Sequence, residues 1–97
     1  MKVLLLENIN EITNDIFLKQ NFTIETHKKS LEKSILIDKI KNVDILGIRS
    51  KTNITKEIID NANNLKVIGC FCIGTDQVDL DYAAKKGIAV FNSPYMN

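Results

Sequence analysis

The 97-residue chain has no tryptophan, one proline, one histidine, one arginine and two cysteines. Each scarcity closes off a class of function. Cys70 and Cys72 stand in a C-x-C pair, and a bridge between residues two apart closes almost no loop, so a disulfide framework is excluded. A structural metal site needs about four thiolate or imidazole ligands, and His27 lies far from the cysteines in sequence. The two thiols are therefore expected to be free, buried in a strand and to behave as small apolar residues, as suits a reducing cytoplasm. Neither sign of charge dominates: 13 Lys and Arg face 12 Asp and Glu, for a net charge of +1. That balance offers no basic footprint for nucleic acid and no acidic tail. No apolar run approaches the ~20 residues that span a bilayer. The opening run Met1–Glu7 is too short for a signal-peptide core, and no small-residue cleavage site follows it. The expectation is a cytoplasmic protein with neither nucleic acid nor membrane as partner. Both G-x-G-x-x-G and G-x-x-x-x-G-K are missing, so the chain carries no dinucleotide or phosphate-loop fingerprint of its own.

What is present fits one folded domain, at 44% hydrophobic and 26% charged residues. Short apolar runs alternate with helical patterns. Lys2–Glu7, Phe22–His27, Val43–Ser50, Lys66–Ile73 and Ile88–Asn92 read as strands, several of them nearly continuous in Val, Ile, Leu and Phe. Such runs are typical of parallel strands covered on both faces. The gaps hold helices. Ile9, Ile12 and Ile16 have helical spacing, with Asn8 and Glu11 as a capping box. Leu31, Ile35, Leu36 and Ile40 make a second apolar face. Thr55 is the expected N-cap of a helix carrying Ile58, Ile59 and Ala62. Asp79 and Asp81 open a fourth helix, which Lys85, Lys86 and Gly87 close. Repeated strand–helix units predict a flavodoxin-like, doubly wound α/β fold: a five-stranded parallel sheet in the order 2-1-3-4-5 with helices on both faces.

That architecture places any site beyond the carboxyl ends of the strands, near the switch between strands 1 and 3. The residues ending strands there are Glu7-Asn8, Arg49-Ser50-Lys51, Gly74-Thr75-Asp76 and Asn92-Ser93-Pro94. Arg49 offers a planar fork that pairs two oxygens of a carboxylate or phosphate. Ser50 adds a hydroxyl and Lys51 a mobile positive charge. The competing reading is a surface arginine ahead of a solvated loop. Gly74 is either a turn glycine or a place where the backbone takes φ above zero or approaches a ligand. A phospho-acceptor site would need an aspartate ending strand 3, where Arg49 stands. A flavin-phosphate loop would need Ser, Thr and Gly where Asn8-Ile9-Asn10 stands. His27 lacks a catalytic partner by pattern and reads as a hydrogen-bonded structural residue.

At these positions the chain resembles a known family. Ile48-Arg49-Ser50-Lys51-Thr52-Asn53-Ile54-Thr55, Leu65–Leu80 with its Gly69-Cys70-Phe71-Cys72-Ile73-Gly74-Thr75-Asp76 core, and Ala83–Pro94 are similar to motifs of the D-isomer-specific 2-hydroxyacid dehydrogenases. The resemblance runs from Met1 to Asn97. It implies an oxidoreductase that moves hydride between NAD and 3-phosphoglycerate or a related 2-hydroxy acid, and a homo-oligomer in the full-length enzyme. Residues 1–97 would be the N-terminal part of the substrate-binding domain. The NAD-binding domain and its catalytic groups would lie beyond Asn97, leaving this piece inactive alone. By the same resemblance Arg49, Ser50 and Lys51 hold the substrate's phosphate or carboxylate. Gly74 and Thr75 face substrate and nicotinamide, Thr75 on the cofactor side, and Asn97 lines the cleft at the hinge. Lys51 stands where relatives often carry arginine, and keeps the charge without the fork. Asp76 stands where asparagine is frequent, and its charge would oppose an anionic substrate unless it points away. His27-Lys28-Lys29 reads as a solvated basic turn or as added charge on the rim. Two alternatives stay open: a dehydrogenase for another 2-hydroxy acid such as lactate or glyoxylate, and a stand-alone non-catalytic binding module.

Overall fold

The computed structural model describes residues 1–9 and 21–92. Five strands form one parallel sheet: β1 (Lys2–Leu5), β2 (Thr23–Thr26), β3 (Ile45–Ile48), β4 (Val67–Cys70) and β5 (Ala89–Asn92), in the order β2-β1-β3-β4-β5. Among the described residues three helices connect them: α1 (Lys33–Ile40), α2 (Lys56–Asn61) and α3 (Leu80–Lys85). The expected sheet and strand order are therefore present. The helix expected around Ile12 and Ile16 lies outside the described residues.

The period-2 alternation of side chains splits the core. Leu4 and Leu6 of the first strand and its extension, Leu46 and Ile48 of β3, and Ile68 and Cys70 of β4 point to one side. There Leu36 and Ile40 of α1, Ile58 and Ile59 of α2 and Ala83 of α3 cover them. Leu4, Leu46, Ile48 and Ile68 are fully buried, worth roughly 1.5–3 kcal/mol each over exposure. Val3 and Leu5 point to the other face, with Ile9, Phe22, Ile24, Ile45 and Phe71. Gly47 lies under this second cluster. A Cβ there would come within 2.7 Å of Leu5 Cδ2, 3.0 Å of Ile9 Cδ1 and 3.2 Å of Phe71 Cε2, so only glycine lets these side chains settle on β3.

Register is pinned at the amino end of the sheet. Asp44 accepts from the Lys2 backbone N–H at 2.8 Å and from the Lys66 ammonium at 2.9 Å, gathering the starts of β1, β3 and β4. These two donors hold its carboxyl below the usual carboxylate range, the Lys2 amide first. At the β2 edge Glu25 binds Lys39 of α1 at 2.8 Å and His27 at 2.6 Å, with Lys2 at 3.6 Å. The Lys39 and then the His27 bond hold the Glu25 carboxyl down at about 2. His27 is thus the hydrogen-bonded structural residue expected of it. Charges along an edge strand also discourage pairing with another chain.

Local end signals act where the residues can reach. Asp79 caps α3, its carboxylate accepting from the Tyr82 N–H at 3.1 Å, and Gly87 ends that helix at φ 75°. Thr55 occupies the N-cap of α2 but makes no side-chain cap bond, so the cap is positional only. Several expectations are corrected. Strands stop earlier than their apolar runs: Glu7, Ser50 and Ile73 lie outside β1, β3 and β4. Ile73 is 88% exposed: Phe71 and Cys72 still pack against the two core clusters, and the chain leaves that cover at Ile73. Ile35 is exposed, since α1 packs through Leu36, Ile37 and Ile40 instead. Cys70 and Cys72 are both free, but only Cys70 is buried. Among the described residues no helix is long and apolar enough to cross a membrane.

Candidate anion site at the switch between β1 and β3

The chain leaves β1 through two consecutive left-handed residues, Glu7 (φ 64°) and Asn8 (φ 58°). For residues other than glycine this conformation costs about 1–2 kcal/mol each, Asn tolerating it best. The turn sends the Glu7 side chain across the end of β3. Glu7 is 8% exposed, and its carboxylate takes three donors: the Arg49 N–H at 2.7 Å, the Lys51 N–H at 2.8 Å and the Thr52 hydroxyl at 2.7 Å. A buried carboxylate needs such donors to offset its lost hydration. The same corner holds a second segment by its backbone. Asn8 N–H donates to the His27 carbonyl at 3.0 Å and Glu7 N–H to that of Lys29 at 3.4 Å.

Two cationic segments consequently flank one corner. Glu7, Lys28, Lys29, Ser30, Arg49, Ser50 and Lys51 line a cavity of about 550 Å³. Four cations meet one carboxylate there, and that carboxylate is occupied by the loop. The Arg49 Nε is buried and without a hydrogen-bond partner among the described residues. A buried, charged donor left unpaired is costly and points to a missing acceptor. The arrangement suits a small dianion or a molecule with two acidic groups.

Ser50 also lines a neighbouring cavity of about 600 Å³ with Asn53, Cys72, Ile73, Gly74, Asp76 and Gln77. Gly74 is open to it: φ is not left-handed, and an added Cβ would meet nothing nearer than Asp76 Oδ2 at 3.9 Å. The left-handed turn considered for Gly74 does not occur, and an accessible backbone edge remains. Asp76 is exposed and lines this second cavity and not the cationic one, its Oδ2 lying beside Gly74. Gln77 joins the two loops, donating to the Arg49 carbonyl at 2.8 Å and to Cys72 Sγ at 3.1 Å. Cys72 packs against the main core as the apolar residue expected and in addition donates to the Gly74 carbonyl at 3.1 Å. The buried Cys70 thiol is pushed up to about 11, by burial first and then by Cys72 and Glu7.

Arg49, Ser50 and Lys51 are thus gathered on one cavity, with Gly74 on the next. Thr75 lines neither, its backbone carbonyl accepting from Val78 N–H at 3.0 Å. Asn97 lies outside the described residues. Sequence reasoning gave no role to Glu7, Thr52 or Gln77 and left Lys28 and Lys29 undecided. A charged residue closing the strand beside the switch point was the available signal for Glu7. Among the described residues no three His, Cys, Asp or Glu side chains gather where a metal ion could be held.

A sheet of this order carries a cation-lined cavity at its switch point, a surface chemically suited to small acidic molecules. The chain belongs to the family of D-isomer specific 2-hydroxyacid dehydrogenases, whose catalytic-domain model matches residues 3–97. It is 59% identical over all 97 residues to D-3-phosphoglycerate dehydrogenase 2 of Saccharomyces cerevisiae, covering 21% of that protein. The NAD+-bound 3-phosphoglycerate dehydrogenase of Entamoeba histolytica superposes with a TM-score of 0.85 at 26% identity, over 97% of this chain and 33% of that one. The TT0316 protein of Thermus thermophilus gives 0.90 at 29% identity, over 98% and 31%. The chain spans 21–24% of the length of the curated relatives it matches.

Proposed function

We propose that this chain is the N-terminal part of the substrate-binding domain of an NAD-dependent D-3-phosphoglycerate dehydrogenase, an enzyme opening the phosphorylated route to serine. The observation that carries the reading is Arg49, whose buried Nε has no partner among the described residues and which lines a cavity with Lys28, Lys29 and Lys51. 3-Phosphoglycerate carries a phosphate and a carboxylate, and the guanidinium fork pairs either one. Similarity to phosphoglycerate dehydrogenases over the whole chain supports that choice over lactate or glyoxylate. The described residues fit NAD only at the open Gly74–Thr75 edge, and no glycine-rich turn is available for its pyrophosphate. NAD, which accepts the hydride when bound, would be held chiefly by residues beyond this chain. Asn97 would line the cleft between the two parts. A homo-oligomer working in the cytoplasm completes the proposal.

The test is steady-state kinetics of the protein encoded by the complete reading frame containing this segment, with 3-phosphoglycerate and NAD. Arg49→Ala should raise KM by roughly one to two decades, the loss of a charge-assisted bond of about 1.5–3 kcal/mol. Arg49→Lys should recover part of it, since the ammonium keeps the charge and loses the paired geometry. The 97-residue piece alone should turn over nothing. An unchanged KM in both variants, or turnover of lactate or glyoxylate in preference to 3-phosphoglycerate, would refute the assignment.

A further inference from the structure

The Glu7 corner is unusual for an anion site. A negative side chain stands at the floor of a cavity meant for negative ligands, on a strained backbone, when a glycine would relieve both problems. Strain held at one position commonly marks a geometric requirement. All three of its side-chain bonds go to one loop, Arg49–Thr52, and both of its corner's backbone donors go to the other, His27–Lys29. Nothing else among the described residues bonds to both segments.

We infer that Glu7 is a positioning residue: its carboxylate fixes the Arg49–Thr52 loop against the Lys28–Lys29 turn at the spacing that an acidic ligand needs. The inference rests on the anion reading given above. Its physical content is a contest of two signs. Through space the carboxylate repels an anion and weakens its binding. Through the loop it holds the Arg49 and Lys51 backbone still, so that neither cation has to be ordered when the ligand arrives. The second effect is the larger, because Lys28, Lys29, Arg49 and Lys51 would otherwise repel one another apart. Glutamine cannot substitute. Its amide NH2 would face backbone N–H donors that a carboxylate oxygen accepts.

The experiment uses the 97-residue chain and inorganic phosphate, followed by amide resonances and amide exchange, for wild type, Glu7→Gln and Thr52→Val. In wild type, phosphate should shift Lys28, Arg49, Ser50 and Lys51. In Glu7→Gln the Arg49 and Lys51 amides should exchange about tenfold faster and phosphate should bind about tenfold more weakly, the equivalent of one charge-assisted bond. That weakening comes despite the loss of one negative charge. A purely electrostatic role demands the reverse, binding about threefold tighter or more. Equal or tighter phosphate binding in Glu7→Gln, with unchanged exchange, would overturn the role of Glu7 and leave the anion site intact. No phosphate shift in wild type would overturn the anion reading itself and this inference with it. If Glu7→Gln loses its dispersed spectrum, Thr52→Val decides. It keeps every charge and removes one donor, so Arg49 and Lys51 should exchange about threefold faster and phosphate bind about twofold more weakly. No change in either quantity would overturn the inference.

Discussion

Exchanging a glycine for alanine at two places in this chain should have opposite consequences. At Gly47 the new methyl would sit 2.7 Å from Leu5 Cδ2, 3.0 Å from Ile9 Cδ1 and 3.2 Å from Phe71 Cε2. Phe71 is half-buried and can swing outward. Leu5 at 1% and Ile9 at 7% exposure cannot, because the remainder of their cluster closes around them. Overpacking of this kind costs about 1–3 kcal/mol, and the smaller flexibility of the unfolded alanine chain returns only about 0.4–1 kcal/mol. A net loss near 1–2 kcal/mol lowers Tm by roughly 4–16 °C in a domain of this size. At Gly74 the nearest atom is 3.9 Å away and the backbone is not left-handed, so only the unfolded-state gain of about 0.4–1 kcal/mol remains. Thermal melts and urea midpoints at constant m value measure both variants. A Gly47→Ala Tm within about 2 °C of wild type, or a Gly74→Ala loss of similar size, would refute the packing argument.

Three further outcomes are expected. The Glu25 carboxyl titrates near 2 when folded against an ordinary 4.5, so its stabilisation is complete above 4.5 and is lost as pH falls toward 2; Glu25→Gln should flatten the fall in urea midpoint over that window, and parallel curves would contradict it. A thiol reagent at pH 8 should modify half-buried Cys72 first and Cys70 only as the sheet opens, given its burial and its pKa near 11; two equally fast thiols would contradict this. Deuterium exchange should be slowest in Ile45–Ile48 and Val67–Cys70, the central strands, and rapid exchange through Val67–Cys70 would undo the strand order.

The sheet was legible in the sequence because its determinants are local. Runs such as Val3–Leu6 and Ile45–Ile48 announce buried parallel strands, and Asp79 and Gly87 lie within a few residues of the helix they delimit. Strand ends were less legible, since Ile73 is as apolar as its neighbours and only the missing cover takes it out of the sheet. Arg49 and Ser50 were found by combining the predicted strand order with chemistry. Glu7 escaped because its partners lie 42 to 45 positions away, at a distance that no periodicity encodes. Gln77 escaped for the same reason, reaching Arg49 across 28 positions.

The loops after β3 and β4 are joined by more than Gln77. Ile54 and Val78 form a single parallel bridge outside the sheet, with Ile54 N–H donating to the Gln77 carbonyl at 2.8 Å and Asp79 N–H to the Ile54 carbonyl at 3.0 Å. The two loops are therefore one plate hinged on neither strand. Any body that closes over this end of the sheet meets a surface whose shape was settled during folding. Its closure is then a docking of preformed parts, with the speed of an encounter and little of the delay of a loop search, and the entropy of aligning Arg49 with Gly74 falls on folding and is absent from every later binding event.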